Sequence, residues 1–141
     1  PGLRLGYVSS RNTDWISTIR RQLPLWGINA FAQYFVEELP KYGQEFQDAC
    51  TSVREASGVL SGGLGALQGL HAYPTTANFV LCKLPPERSS ASLVDELWNI
   101  DRILINDCSN KAGVDQSFIR LASRTSDDNA MLVDVMRQVI G

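Results

Sequence analysis

Leu3, Leu5 and Tyr7 alternate with Arg4 and Gly6, a period of two that predicts a short strand over residues 3–9. The period then changes. Ile16, Ile19 and Leu23 fall on one helical stripe, which Thr13 or Asp14 can cap and Pro24 stops. A second helix is expected from Asn29 to Leu39, broken or kinked at Pro40. From Tyr42 onward Phe46, Ala49, Cys50, Val53, Leu60, Leu64 and Leu67 keep helical spacing, so a long helix should run to about Gly69. Gly58, Gly62, Gly63 and Gly65 weaken it by about 1 kcal/mol each relative to Ala, and would let another element pack closely.

Beyond residue 69 the pattern turns to strands. LHAY and ANFVLCKL read as two, separated by PTT and ended by Pro85 and Pro86. Ser92 and Asp95 have capping-box spacing, and Leu93, Leu97 and Ile100 form the buried stripe of the helix they start. RILIND and FIRLASR read as two more strands around the loop SNKAGVDQ. Ser126, Asp127 and Asp128 open a last helix, acids toward its positive end, with Met131, Leu132, Val135, Met136 and Val139 facing the core. The order from residue 42 is α-β-β-α-β-β-α. That order predicts an α/β fold of the α+β sandwich kind, a small sheet with helices packed on one face. Residues 1–40 do not fit that unit and are expected to be the exit of another domain, with residues 41–141 forming the small domain proper.

Composition narrows the function classes. The 141 residues suffice for one domain with a real core, and 15 acidic against 13 basic residues give a net charge of −2 with no basic block. A nucleic-acid surface is not expected. No apolar run approaches the roughly 20 residues that span a bilayer, and no secretory leader pattern opens the chain, so a cytoplasmic protein is the expectation. Cys50, Cys82 and Cys108 are odd in number and lack CxxC spacing, which fits reduced thiols and neither a disulfide framework nor a zinc site. His71 is the sole histidine, so no chemistry needing a His pair is possible, and no metal is expected.

Four polar residues could carry chemistry. Arg120 lies between Ile119 and Leu121, and a guanidinium there must reach solvent or find an anion. Its fork suits a carboxylate; from the strand alone, a solvent-facing or Asp-paired arginine is the commoner outcome. Arg4, between Gly2 and Gly6, poses the same question with a phosphate as the obvious guest. Asn78 opens the ANFVL strand, where an amide can orient a ligand or simply satisfy a turn. Asn29 stands at a helix start, where capping is the plainer explanation. Trp15, Trp26 and Trp98 are expected to pack.

These pieces occur in a familiar order. PGLRLGY, LWGINAFAQ, YPTTANFVL, ILINDCSN and FIRLASRTSDDNAMLV together resemble the C-terminal (small) domain of class I/II pyridoxal-phosphate aminotransferases of fold type I. The closest likeness is to the histidinol-phosphate aminotransferase and threonine-phosphate decarboxylase branch, over essentially the whole chain. The resemblance implies pyridoxal 5'-phosphate as cofactor, an amino acid as substrate and a homodimer. It implies that Arg4 binds the cofactor phosphate and Arg120 the substrate α-carboxylate. Asn78 would sit at the small domain's edge of the active site, and Asn29 would shape that site. The Schiff-base lysine of the family would lie upstream of Pro1, because Lys41, Lys83 and Lys111 stand in the wrong contexts. Without it the 141 residues alone should be inactive.

One departure bears on the substrate. Where the phosphate-substrate members read like ILIRD, this chain has Asn106. An amide lacks the charged fork of an arginine, so a phosphorylated substrate is put in question, with partial compensation open to Arg102. Two alternatives stand beside the aminotransferase: a decarboxylase of the threonine-phosphate kind, and a non-catalytic α/β domain that binds amino acids.

Overall fold

A computed structural model describes residues 2–140 of the chain; Pro1, in the first motif quoted above, and Gly141 lie outside them. The chain divides into two compact units, residues 1–47 and 48–141.

The first unit holds α1 (Thr13–Gln22), α2 (Ala30–Glu38) and a 3-10 turn over Leu39–Tyr42. Asn12, rather than Thr13 or Asp14, caps α1, its Oδ1 accepting from the N–H groups of Asp14 and Trp15, each at 3.1 Å. Pro40 tightens the end of α2 into the 3-10 turn. The strand expected over residues 3–9 does not form: the segment is irregular, and Arg4 turns into the left-handed region at φ 56°. An extended run needs a partner for its backbone N–H and C=O groups, and none of the described strands pairs with it. Ala32 is the only buried residue among the described ones of this unit. Trp15 and Trp26, expected to pack, are 67% and 90% exposed.

Helix α3 (Gly43–Gly65) begins in the first unit and continues into the second. It stops four residues short of Gly69, whose φ of +84° turns the chain toward the sheet. The second unit adds β1 (His71–Ala72), β2 (Phe79–Lys83), α4 (Ser90–Asp101), β3 (Asn106–Asp107), β4 (Phe118–Ala122) and α5 (Ser126–Ile140). The α-β-β-α-β-β-α order read from the sequence is the order observed. Two boundaries moved. Ser89, not Ser92, caps α4, accepting from the Ser92 N–H at 3.2 Å. RILIND contributes only two residues to a strand, because Arg102 ends α4 in the left-handed conformation and the chain needs Ile103–Ile105 to reach the sheet.

The sheet is antiparallel throughout, in the order β1-β2-β4-β3. Alternation assigns its faces. Val80 and Cys82 of β2 and Ile119 and Leu121 of β4 are fully buried in one cluster with Leu60 and Leu64 of α3, Leu93 and Leu97 of α4, and Leu132 and Met136 of α5. The helices therefore cover one face. Phe79, Leu81, Arg120 and Ala122 alternate onto the other, partly or fully exposed. Gly63 lets α3 meet α5: a Cβ there would stand 2.9 Å from Val133 Cγ2. Burial pushes the Cys82 thiol up to about 12, so this cysteine is inert packing. Cys50, Cys82 and Cys108 are all free. Arg88 joins three elements, donating to Glu96 of α4 at 2.6 Å and to the Val139 carbonyl in the last turn of α5.

The sequence pattern assigned both Leu97 and Met131 to the core, yet Leu97 is 0% and Met131 47% exposed. Leu97→Ala should therefore lower unfolding free energy by about 2–5 kcal/mol, and Met131→Ala by no more than about 0.5. Urea denaturation of the two variants measures the difference; equal losses would contradict this packing.

Candidate functional site

β4 has a neighbour on each side, and its register fixes what stands beside Arg120. Leu81 of β2 is opposite on one flank and Asn106 of β3 on the other. Residues paired in this way share a face, with Cβ atoms about 4.5–5.5 Å apart. The guanidinium lies over the Phe79 ring, 5.0 Å from its centroid. In the amide orientation that satisfies both its ends, the Asn106 oxygen accepts from Arg120 Nη2 at 3.2 Å and its nitrogen donates to the Asp107 carbonyl at 2.8 Å. Leu104, Ile105, Asn106, Arg120 and Ala122 line a depression of about 230 Å³. Arg120 thus reaches the uncovered face, held by an aromatic ring and a neutral amide, with no carboxylate paired to it among the described residues. A guanidinium so placed keeps its full charge for an anion.

The short strand beside it is anchored from below. Asp107 follows Asn106 and so alternates to the other side, where its Oδ1 accepts from Ser90 Oγ at 2.6 Å and from Ser109 N at 2.8 Å. Its Oδ2 accepts from Ser109 Oγ at 2.9 Å. Ser90 is fully buried in the first turn of α4, so this contact ties a helix start to the sheet edge. The Ser90 hydroxyl first, and then the Ser109 N–H, hold the Asp107 carboxyl below the usual carboxylate range.

Asn78 is exposed at the end of β2, and its backbone carbonyl accepts from Ser123 N at 2.9 Å, extending the β2–β4 ladder by one rung. The structure brings Arg120 and Asn106 together; no hydrogen bond joins the Asn78 side chain to either.

Arg4 and Asn29 belong to the first unit. Asn29 caps α2, Oδ1 accepting from Ala32 N at 2.9 Å, while Nδ2 donates to the Leu3 carbonyl at 3.3 Å. The amide is used at both ends, and it fixes the backbone next to Arg4. Arg4 itself is exposed and makes no hydrogen bond or ion pair with another described residue. Gly2 and Gly6 leave open space on either side of it. An unpaired guanidinium is open to an anion.

Sequence reasoning singled out Asn106 as a departure but not as the partner of Arg120, and gave no signal for Phe79 beneath it. The Ser90–Asp107 contact spans 17 residues, too far for any local pattern to reveal.

An acid titration tests that anchor. A carboxyl held below its unfolded value contributes stability above that value and loses it as pH falls through the folded one. Ser90→Ala should raise the Asp107 pKa and move acid unfolding to higher pH, read by carboxyl-carbon NMR and circular dichroism. An unchanged Asp107 titration would show that Ser90 does not hold it.

No family model matches the chain. It is 36% identical over 142 residues to the CMP-5'-(3-aminopropyl)phosphonate synthase of Streptomyces rubellomurinus, a match covering 99% of this chain and 22% of that protein. It is 33% identical over 141 residues to the threonine-phosphate decarboxylase of Salmonella typhimurium, covering 99% of this chain and 38% of the enzyme. The crystal structure of the histidinol-phosphate aminotransferase from Clostridium acetobutylicum superposes with a TM-score of 0.79 at 27% identity, over 99% of this chain and 41% of that one. The chain therefore spans from about a fifth to two-fifths of the length of these proteins. Over nearly its whole length the chain is similar to a part of pyridoxal-phosphate-dependent fold type I enzymes, a threonine-phosphate decarboxylase and a histidinol-phosphate aminotransferase among them.

Proposed function

We propose that this chain is the C-terminal part of a pyridoxal-phosphate-dependent aminotransferase acting on an amino acid. Arg120 holds the substrate α-carboxylate and Arg4 the cofactor phosphate. The observation that carries the reading is Arg120: a charge at the centre of a sheet face, supported by Phe79 and Asn106 and unpaired with any acid.

Residues 1–40 are then the end of a large cofactor-binding domain with its interdomain helix, and residues 41–141 the small domain. Exposed apolar surface supports this. Leu3, Phe31, Tyr34, Phe35, Tyr42 and Phe46 line a groove of about 510 Å³ in a unit with almost no core of its own. Such a surface calls for cover, and the relatives carry more than half their length outside the matched part. A homodimer in the cytoplasm completes the reading; no helix among the described residues is long and apolar enough to cross a membrane.

Pyridoxal phosphate, when bound, supplies an electron sink for the pair left at the amino acid's Cα. This chain's own residues bind and orient. Arg120 grips the carboxylate with parallel N–H donors and so decides which Cα bond is presented for cleavage. Arg4 neutralises a phosphate. Holding the substrate by its carboxylate replaces a loose encounter by an oriented one, an effect worth several kcal/mol. Asn29 keeps the Arg4 backbone in place. Asn78, at the open end of β2, lines the same active-site edge.

A decarboxylase is the second reading, favoured by the 33% identity to the threonine-phosphate decarboxylase. The clamp weighs against it. Charged hydrogen bonds of about 1.5–3 kcal/mol stabilise the carboxylate, and decarboxylation removes that charge from the gripped oxygens. Loss of the Cα proton leaves the charge in place.

In the full-length, cofactor-loaded protein, Arg120→Gln should raise KM for the amino acid about 10- to 100-fold. Arg4→Gln should weaken cofactor binding, read from its absorbance on dialysis. Product analysis should find a 2-oxo acid and no carbon dioxide. Carbon dioxide without oxo acid supports the decarboxylase; an Arg120→Gln enzyme with unchanged KM removes the clamp altogether.

A further inference from the structure

The neighbour of Arg120 has a role of its own. Arg120 is long, flexible and exposed, and a free guanidinium of that kind samples many rotamers, each of which must be given up when an anion binds. Two contacts reduce that freedom, and a third fixes one of the partners. The Phe79 ring lies 5.0 Å from the guanidinium carbon and supports one plane of the group. Asn106, directly opposite in the β3–β4 register, accepts from Nη2 at 3.2 Å. The amide of Asn106 cannot rotate freely either, because its nitrogen donates to the Asp107 carbonyl at 2.8 Å.

The short strand that carries Asn106 is fixed from the opposite side. Asp107 alternates toward α4 and accepts from the buried Ser90 hydroxyl at 2.6 Å. The Cys108 N–H donates to the Phe118 carbonyl at 3.1 Å, closing the β3–β4 ladder. A continuous set of contacts therefore runs from the start of α4 through Asp107 and Asn106 to the guanidinium.

The chemistry of the partner matters as much as its place. A carboxylate opposite Arg120 would order it equally well and would also neutralise it. An amide oxygen orders it with one acceptor and no charge. One N–H is engaged, and the other four stay free for a ligand.

We propose that Asn106 is the positioning residue of Arg120: its carboxamide oxygen pre-orders the guanidinium on the uncovered sheet face while leaving its charge for a single substrate carboxylate. The inference rests on the clamp reading of Arg120 for its substrate, but the ordering itself does not. Asn106 is exposed, so its replacement leaves the core intact.

The test has two readouts. The first is side-chain NMR of the Arg120 Nε–Hε group in the ligand-free 141-residue chain. Asn106→Ala should lower its order toward that of an unattached surface arginine, whereas Asn106→Asp should keep it ordered. The second is amino-acid kinetics of the full-length, cofactor-loaded protein. Asn106→Ala should raise KM roughly three- to ten-fold with kcat nearly unchanged. Asn106→Asp should raise it more than about ten-fold despite the ordered guanidinium, because its charge is now paired. If Arg120 is as ordered in Asn106→Ala as in the parent, Asn106 does not position it and the proposal is overturned. The two readings fail separately. An Arg120→Gln protein with unchanged KM refutes the clamp, while loss of order in Asn106→Ala would still establish the positioning contact.

Discussion

Strand β4 is asked to satisfy both faces of the sheet at once. Five residues, Phe118–Ala122, are held in register by β2 on one side and β3 on the other, so alternation leaves no freedom in where each side chain goes. Ile119 and Leu121 fall into a fully buried cluster. Arg120 between them has one place to be, the opposite face. A slip of one residue would drive the guanidinium into the core and two large apolar groups into water, a change of many kcal/mol. The position of the Arg120 charge is thus enforced by the packing of its neighbours, and the helices that build the core aim the arginine from the opposite face.

The same logic sets what surrounds that charge. β3 is only two residues long, and a strand so short has little pairing of its own to hold it. Asp107 supplies the missing anchor through Ser90 and Ser109. Its partner in the alternation, Asn106, is thereby delivered to Arg120. One device serves both: of two adjacent residues of a strand, Asp107 ties the strand to α4 and Asn106 meets Arg120.

How far this was legible in the sequence varied with the source of the signal. The helices and the two longer strands of the second unit showed through periodicity, because burial of one face writes period 3.6 or period 2 into the chain. Leu93, Leu97, Val135 and Val139 are buried as their spacing requires. The segment over residues 3–9 misled because alternation alone cannot show whether a partner strand exists. The long stripe over α3 was half right: Leu60 and Leu64 are fully buried, while Phe46 and Val53 are 49% and 47% exposed. Arg120, Arg4, Asn78 and Asn29 were found as residues, and the order of their motifs gave them expected roles. Their neighbours were not. Phe79 under Arg120, Asn106 against it and Ser90 beneath Asp107 are brought together by register and helix docking, which no local window contains.

The account stands or falls on what Arg120 holds. The most direct measurement is a crystal structure of the full-length, cofactor-loaded protein with an unreactive amino-acid analogue bound. The account predicts the analogue's carboxylate within hydrogen-bonding distance of the Arg120 guanidinium, which still lies over Phe79 and against Asn106. A carboxylate bound to other groups, with Arg120 left in water on the uncovered face, would contradict it.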